Sequence, residues 1–265
     1  MHTPTMQPTK TSTSRKSSGG FVDFIKTIVW AVLIAIGIRT VAFEPFNIPS
    51  GSMIPTLLIG DYLFVSKYSY GYSRFSLPGW LTDIDLFGGG RILFREPQRG
   101  DVVVFKLPRD SKTDYIKRIV GLPGDHIQVK GGILNINGEP VKRERIEDFI
   151  DRESGLPQRI PQYIETLPNG RKHRIIEQNG DRGEYDDTPV YVVPAGKYFA
   201  MGDNRDNSLD SRVPQDRSGV GFVPAENLVG RAEFMFFSTN GNAHLWEVWK
   251  WPTAIRYGRL FNGIE

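Results

Sequence analysis

The chain has 265 residues, 39% of them hydrophobic, with 28 Gly and 18 Pro. That is enough for one large or two modest domains with a packed core, and it excludes a disordered chain. The net charge of +3 is small and partly due to Lys10, Arg15 and Lys16 near the N-terminus, so it gives no support for a nucleic-acid surface. With no cysteine, disulfides, thiolate nucleophiles and Cys-ligated zinc are excluded, and the compartment is left open.

In chain order, residues 1–20 are rich in Thr, Ser, Gly and Lys/Arg without apolar periodicity, and read as a disordered basic tail. Phe21 to Phe43, FVDFIKTIVWAVLIAIGIRTVAF, follows. Its uncharged centre is short, but as a helix the whole segment spans roughly 35 Å, enough for a bilayer if Lys26 and Arg39 snorkel. A cleaved signal peptide and a soluble core helix are the rival readings. Against cleavage, Arg39 stands where small neutral residues are needed, and Val41-Ala42-Phe43 is a poor A-x-A match. For a retained helix, the basic residues before it place the tail in the cytoplasm and everything after residue 44 outside.

The outer part alternates short apolar runs with turn signals: Asp61–Ser66, Asp101–Leu107, Tyr115–Val120, His126–Val129, Val190–Val193 and Glu233–Phe237. Asn137-Gly138 between apolar runs predicts a hairpin. Between about 142 and 189 the composition shifts to charges, Pro and Gly. The expected architecture is therefore mainly β: a transmembrane helix over 21–43, a β core over 44–130 and 190–265, and an inserted loop-rich β subdomain over 131–189.

Three stretches carry candidate chemistry. In Pro49-Ser-Gly-Ser-Met53, an extended backbone, favoured by Pro49 and Pro55, puts Ser50 and Ser52 on one face. One hydroxyl can then attack a carbonyl while the other donates to the oxyanion. Taken alone, the stretch reads more readily as an ordinary turn. None of the four histidines, His2, His126, His173 and His244, has a context that marks a base. Lys117 is more unusual, because strand alternation sets it on an apolar face with Tyr115 and Ile119, where burial lowers an amine's pKa. A snorkelling edge lysine is the plain alternative. Gly202 to Arg212, GDNRDNSLDSR, lacks the glycine and glutamate of an EF-hand, and Asp83 and Asp85 before Gly88-Gly-Gly90 are too sparse for calcium.

Together, PSGSMIPTL, GDYLFVSK, GDVVVFKLP, DYIKRIVGLPGD and GDNRDNSLDSR, in this order after a basic-tailed apolar helix, resemble the type I signal peptidases of bacteria, from Phe21 to about Arg231. The resemblance implies a Ser-Lys serine endopeptidase of the plasma membrane, its catalytic domain periplasmic or otherwise extracytoplasmic, that removes signal peptides from preproteins after an A-x-A site. It implies Ser52 as nucleophile, Lys117 as neutral general base, Ser50 with the Ser52 N–H as oxyanion hole, and Ser208 as the residue orienting the lysine. Asp210, Arg212 and Arg118 match a structural set, with Asp203 and Asn204 in the same loop. Phe46, Ile48, Pro49, Met53, Leu57, Tyr115 and Ile116 match the walls of pockets for small side chains. Neither metal nor organic cofactor is expected; the expected partners are signal peptides, membrane lipid and a nearby secretion translocon. The aromatic stretches 235–238 and 245–251 are candidates for lipid contact or for core. The sequence departs from the pattern in an extra VPQDRSGV after Arg212 and in having one apolar segment where some relatives have two. A specialised maturation peptidase of the same fold, a Ser-Lys self-cleaving repressor and an inactive membrane-anchored binding domain are the competing readings.

Overall fold

The computed structural model describes residues 19–77, 88, 90–151, 156–241 and 247–264. Nearly all of the basic tail, Asp83, Asp85, His244 and the first two residues of the 245–251 stretch lie outside the described residues. Helix α1 spans Gly19–Val41, two residues earlier at each end than the sequence reading. It is apolar on all sides, with Phe24, Ile28, Trp30, Leu33 and Ile34 all exposed, and it is long and apolar enough to cross a membrane. Pro45 disfavours helical backbone in Glu44, and the chain turns to strand at Phe43.

From Arg39 onward the chain forms a second unit that is almost entirely β. Strands β1 (Phe43–Asn47), β2 (Asp61–Ser66), β3 (Val102–Lys106) and β4 (Asp114–Gly121) come first. They are followed by β5 (His126–Lys130), β6 (Ile133–Ile136), β7 (Glu139–Pro140), β8 (Lys142–Arg145), β9 (Phe149–Asp151), β10 (Gln158–Ile160), β11 (Gln162–Thr166) and β12 (Lys172–Ile176). The last four are β13 (Tyr191–Val192), β14 (Lys197–Met201), β15 (Val223–Pro224) and β16 (Leu228–Ser238). Seven strands make one antiparallel sheet in the order β1-β2-β16-β3-β4-β14-β15.

The run Val102-Val-Val-Phe105 has no polar face because both its faces are covered. Val102 and Val104 pack with Met53, Leu57, Leu63 and Val65, while Val103 and Phe105 pack with Ile119, Tyr198 and Leu228. At about 1.5–3 kcal/mol per buried aliphatic or aromatic side chain, this central strand fixes the register of β4 beside it. In that register Val103 faces Lys117 and Val104 faces Ile116.

The Asn137-Gly138 hairpin forms as expected between β6 and β7, with φ of 56° and 86° at its two turn residues. Strands β5 and β13, outside the expected insertion, share a four-stranded sheet with β6 and β7 inside it. The 142–189 region is more regular than its composition suggested. Strands β8, β11 and β12 form a three-stranded sheet, and β9 pairs with β10. The signal in β12, Lys172-His-Arg-Ile-Ile176, was hidden because its inward residue His173 is polar yet buried.

Candidate active site

Strand β4 carries Lys117 inward, 3% exposed, and its Nζ donates to Ser52 Oγ at 2.6 Å and to the Ile116 carbonyl at 3.0 Å. Burial pushes this amine down to about 8, against the opposing pull of Asp210 and Asp203. Ser52 is itself 9% exposed. The two residues lie 65 apart in sequence, and the sheet brings them into hydrogen-bond contact.

The backbone around Ser52 corrects the extended reading of residues 48–53. Ser50 is extended (φ −131°, ψ 152°) and so is Ile54, but Gly51–Met53 forms a single 3-10 turn. The turn is held from the GDNRDNS loop, where Asn204 donates its N–H to the Ser52 carbonyl at 3.1 Å and its side-chain amide to the Gly51 carbonyl at 3.0 Å. Tertiary hydrogen bonds thus override the local preference of the prolines. Ser50 and Ser52 still line one cleft of about 510 Å³, with Phe46, Ile48, Pro49, Tyr115, Ile116 and Lys117 in its walls and Asn207 and Leu209 at its rim. Two expected wall residues are misplaced: Met53 and Leu57 are fully buried in the core and do not line the cleft. Both sit on the inner side of the turn, where apolar side chains are drawn to the sheet.

Ser208 is brought to the same corner, since a Cβ on Gly202 would lie 2.2 Å from Ser208 Oγ and 2.5 Å from the Ser52 carbonyl oxygen. Its hydroxyl is buried and makes no hydrogen bond among the described residues, to Lys117 or to any other group. Behind it the charged residues pair closely. Arg118 holds Asp203 with two hydrogen bonds of 2.8 and 2.9 Å, and Thr56 donates to the same carboxylate at 2.6 Å. Arg212 holds Asp210 similarly, at 2.9 and 3.0 Å. Burial would raise both carboxyls, but Arg118 beside Asp203 and Arg212 beside Asp210 outweigh it and hold them below the usual range.

Sequence reasoning missed a further buried set. Arg205 reaches Glu165 on β11 at 2.5 and 2.7 Å, and His173 Nε2 lies 3.3 Å from the same carboxylate. His173, read as part of a polar loop, stands in a strand, 5% exposed, with its pKa lowered first by burial and then by Arg118. The pairing of β11 with β12 sets Glu165 beside His173, the Ile176–Asn204 bridge brings the loop carrying Arg205 to them, and no local pattern announces either.

Comparison with known proteins gives the family of the chain. A model of the signal peptidase family, peptidase S26, matches residues 21–237. The chain is 40% identical to "Signal peptidase I" of Rickettsia massiliae, over 97% of this chain and 96% of that one. It is 39% identical to the "Signal peptidase I" of Rickettsia typhi, over 98% of each. The chain belongs to the signal peptidase family. A crystal structure of a signal peptidase I from Enterococcus faecalis V583 aligns over 52% of this chain and 97% of that one at 24% identity, with a TM-score of 0.29, too low to carry argument. As a signal peptidase family member the chain is a peptidase, mainly β with an N-terminal apolar helix.

Proposed function

We propose that this chain is a membrane-anchored serine endopeptidase that removes signal peptides from exported preproteins after an A-x-A site, using Ser52 and Lys117 as a dyad. The observation that carries this is the 2.6 Å hydrogen bond between Lys117 Nζ and Ser52 Oγ at the floor of a largely apolar cleft. A lysine with a pKa near 8 is neutral in a useful fraction of molecules at working pH and can take the serine proton.

In the proposed reaction Ser52 Oγ attacks the scissile carbonyl carbon while its proton passes to Lys117 Nζ. The oxyanion is held by the Ser50 hydroxyl and the Ser52 N–H. Lys117 returns the proton to the leaving amine, the C–N bond breaks, and an ester remains on Ser52. Water then attacks that ester, giving its proton to Lys117, and the acid product leaves as Ser52 recovers its hydrogen. Ser208, whose hydroxyl is otherwise unpaired, orients the amine when substrate closes the site. The pairs Arg118–Asp203 and Arg212–Asp210 keep the surrounding loop rigid.

Sheet topology suggests how substrate is read. Strand β1 is at the end of the sheet, so one side of it is unpaired. The first half of β4 pairs only with β3, because its contacts with β14 begin at Arg118. An extended peptide laid between these free edges gains backbone hydrogen bonds on both sides and drops alternate side chains into the cleft. Phe46, Ile48, Tyr115 and Ile116 line the cleft where the side chains at the first and third positions before the cut would enter, and alanine is what this reading expects there.

The apolar helix is the anchor in this reading, with the basic tail cytoplasmic and the β unit on the outer face, near the translocon that delivers substrate. Half-buried Phe236 and Phe237, packed beside Tyr62 and Phe64, and exposed Val248 and Trp249 are the candidates for lipid contact. Met235 and Ser238 of the same stretch are buried and belong to the interior. The test is cleavage of an A-x-A preprotein by the purified full chain in detergent, beside Ser52→Ala and Lys117→Ala. Cutting after the alanine by wild type alone is expected. An inert wild type, or a Ser52→Ala protein that cuts equally well, would move a binding module to the front.

A further inference from the structure

We propose that Glu177, Asp186 and Asp206 form a binding site for one divalent, oxygen-seeking cation of the calcium class, joining the 177–186 loop to the GDNRDNS loop. This site does not rest on the peptidase reading, and no residue of the dyad takes part in it.

One carboxylate oxygen from each of the three residues lies within 4.8 Å of the others. Oxygens bound 2.3–2.6 Å from a shared ion are at most about 5 Å apart, so the spacing matches a common centre. Glu177 supplies the independent sign that something belongs there. It is fully buried, and among the described residues neither of its oxygens accepts a hydrogen bond. Its one ion-pair contact among them is Arg143, 3.7 Å from Oε1, and that guanidinium is committed to Asp181 at 2.8 Å. The other arginines close by are likewise spent, Arg205 on Glu165 and Arg212 on Asp210. A buried carboxylate without donors is expensive, and the protein has left this one facing two more.

The surroundings hold the three groups in place. Asn179 donates its backbone N–H to Asp206 Oδ2 at 2.7 Å, and Gly183 donates its own to Asp186 Oδ2 at 2.5 Å. Each aspartate is thereby oriented through one oxygen, as outer partners orient metal ligands. Gly183 presses so closely that a Cβ there would lie 2.0 Å from Asp206 Oδ1 and 3.1 Å from Asp186 Oδ2, so a side chain is excluded.

Three carboxylates with no nitrogen or sulfur donor select a hard ion over zinc or copper. A loop bent at Gly180 and Gly183 tolerates the irregular, six-to-eight-coordinate shell of calcium better than the strict octahedron of magnesium, with water completing the sphere. The GDNRDNS loop therefore contributes one ligand to a site assembled across the fold, which explains why it fails the EF-hand pattern. Asp206 stands two residues before Ser208, so an ion here fixes the loop on which that hydroxyl is carried.

The test uses the full chain in detergent after chelator treatment, with terbium(III) and calcium as probes. Tyr185, next to Asp186, is placed to sensitise terbium luminescence. Wild type is expected to give saturable emission at one equivalent of terbium, displaced by calcium, and the Glu177→Gln and Asp186→Asn double variant to lose it. A calcium excess of a hundredfold over Kd should raise the wild-type melting temperature by about 5 °C and leave the variant unmoved. Glu177→Gln alone, which keeps the side-chain shape, serves if the double variant does not fold. Equal emission from a folded variant would place the ion elsewhere and overturn the assignment. So would a wild type with neither saturable emission nor a melting shift up to about 5 mM calcium, above the ~1 mM range of weak extracellular sites.

Discussion

Lys117 is where one residue's environment sets a measurable property of the whole protein. Its amine sits at about 8 in the folded chain and has an ordinary value of 10.5. Cleavage should therefore rise about tenfold per pH unit up to about 8 and then level, which a kcat/KM profile would read. Lys117→Arg should be inert throughout, because a guanidinium stays charged. The stability consequence has the same sign and falls in a higher pH window. Between about 8 and 10.5 the unfolded chain binds more protons at this position than the folded one, so stability gains from this group as pH rises through that window and is constant below it. Lys117→Met should melt higher than wild type at pH 7, by on the order of 3 kcal/mol, with the difference fading by pH 10.5. Arg118→Ala should act in the other direction, stranding buried Asp203 at a cost of about 3–5 kcal/mol, visible in a denaturant melt.

Among the elements, the loop from Gly202 to Arg212 decides the geometry around Ser52. Gly202→Ala would push a methyl group against Ser208 Oγ and the Ser52 carbonyl, so we expect at least a tenfold loss of kcat with the far-UV spectrum unchanged. Asn204→Ala removes the side-chain tether to the Gly51 carbonyl and leaves the backbone one to Ser52, and should cost about 1 kcal/mol together with part of the activity. These elements differ in how legible they were. The Asn137-Gly138 turn and the Val102–Phe105 run announce themselves, because turn chemistry and unbroken hydrophobicity are local. Lys117 was legible only in part: period two sets it on a face with Tyr115 and Ile119, but a snorkelling lysine fitted the local pattern as well, and it took the other motifs to point to a base. The 3-10 turn at Ser52 was not, because its cause is Asn204, 152 residues away in the chain. Glu165, His173, Arg205 and Glu177 carry no local sign of burial, and only the tertiary fold reveals that they are buried. Met53 and Leu57 were placed in the cleft by resemblance, whereas their apolar side chains complete the core beneath it.

At the scale of the molecule, the β unit beginning at Arg39 has its own three apolar clusters and owes its core to none of the residues of the first unit. Removing residues 1–38 should leave a folded domain that cuts a short A-x-A peptide within about tenfold of the full chain, while processing of a preprotein in vesicles falls much further; parallel assays on the two substrates would check this. The free edges beside the cleft also carry a hazard. An unpaired strand invites the same strand of another copy, and a sheet that must stay open for substrate cannot be closed into a barrel. β1 meets this with its composition: Glu44 puts a charge on the edge, Pro45 removes a backbone donor, and Pro49 stops the strand from lengthening. The edge is therefore too short and interrupted to seed a stack of its own kind, and if a peptide is gripped there as proposed, the same interruptions that spare the protein from aggregating on itself also limit the guest to a few residues.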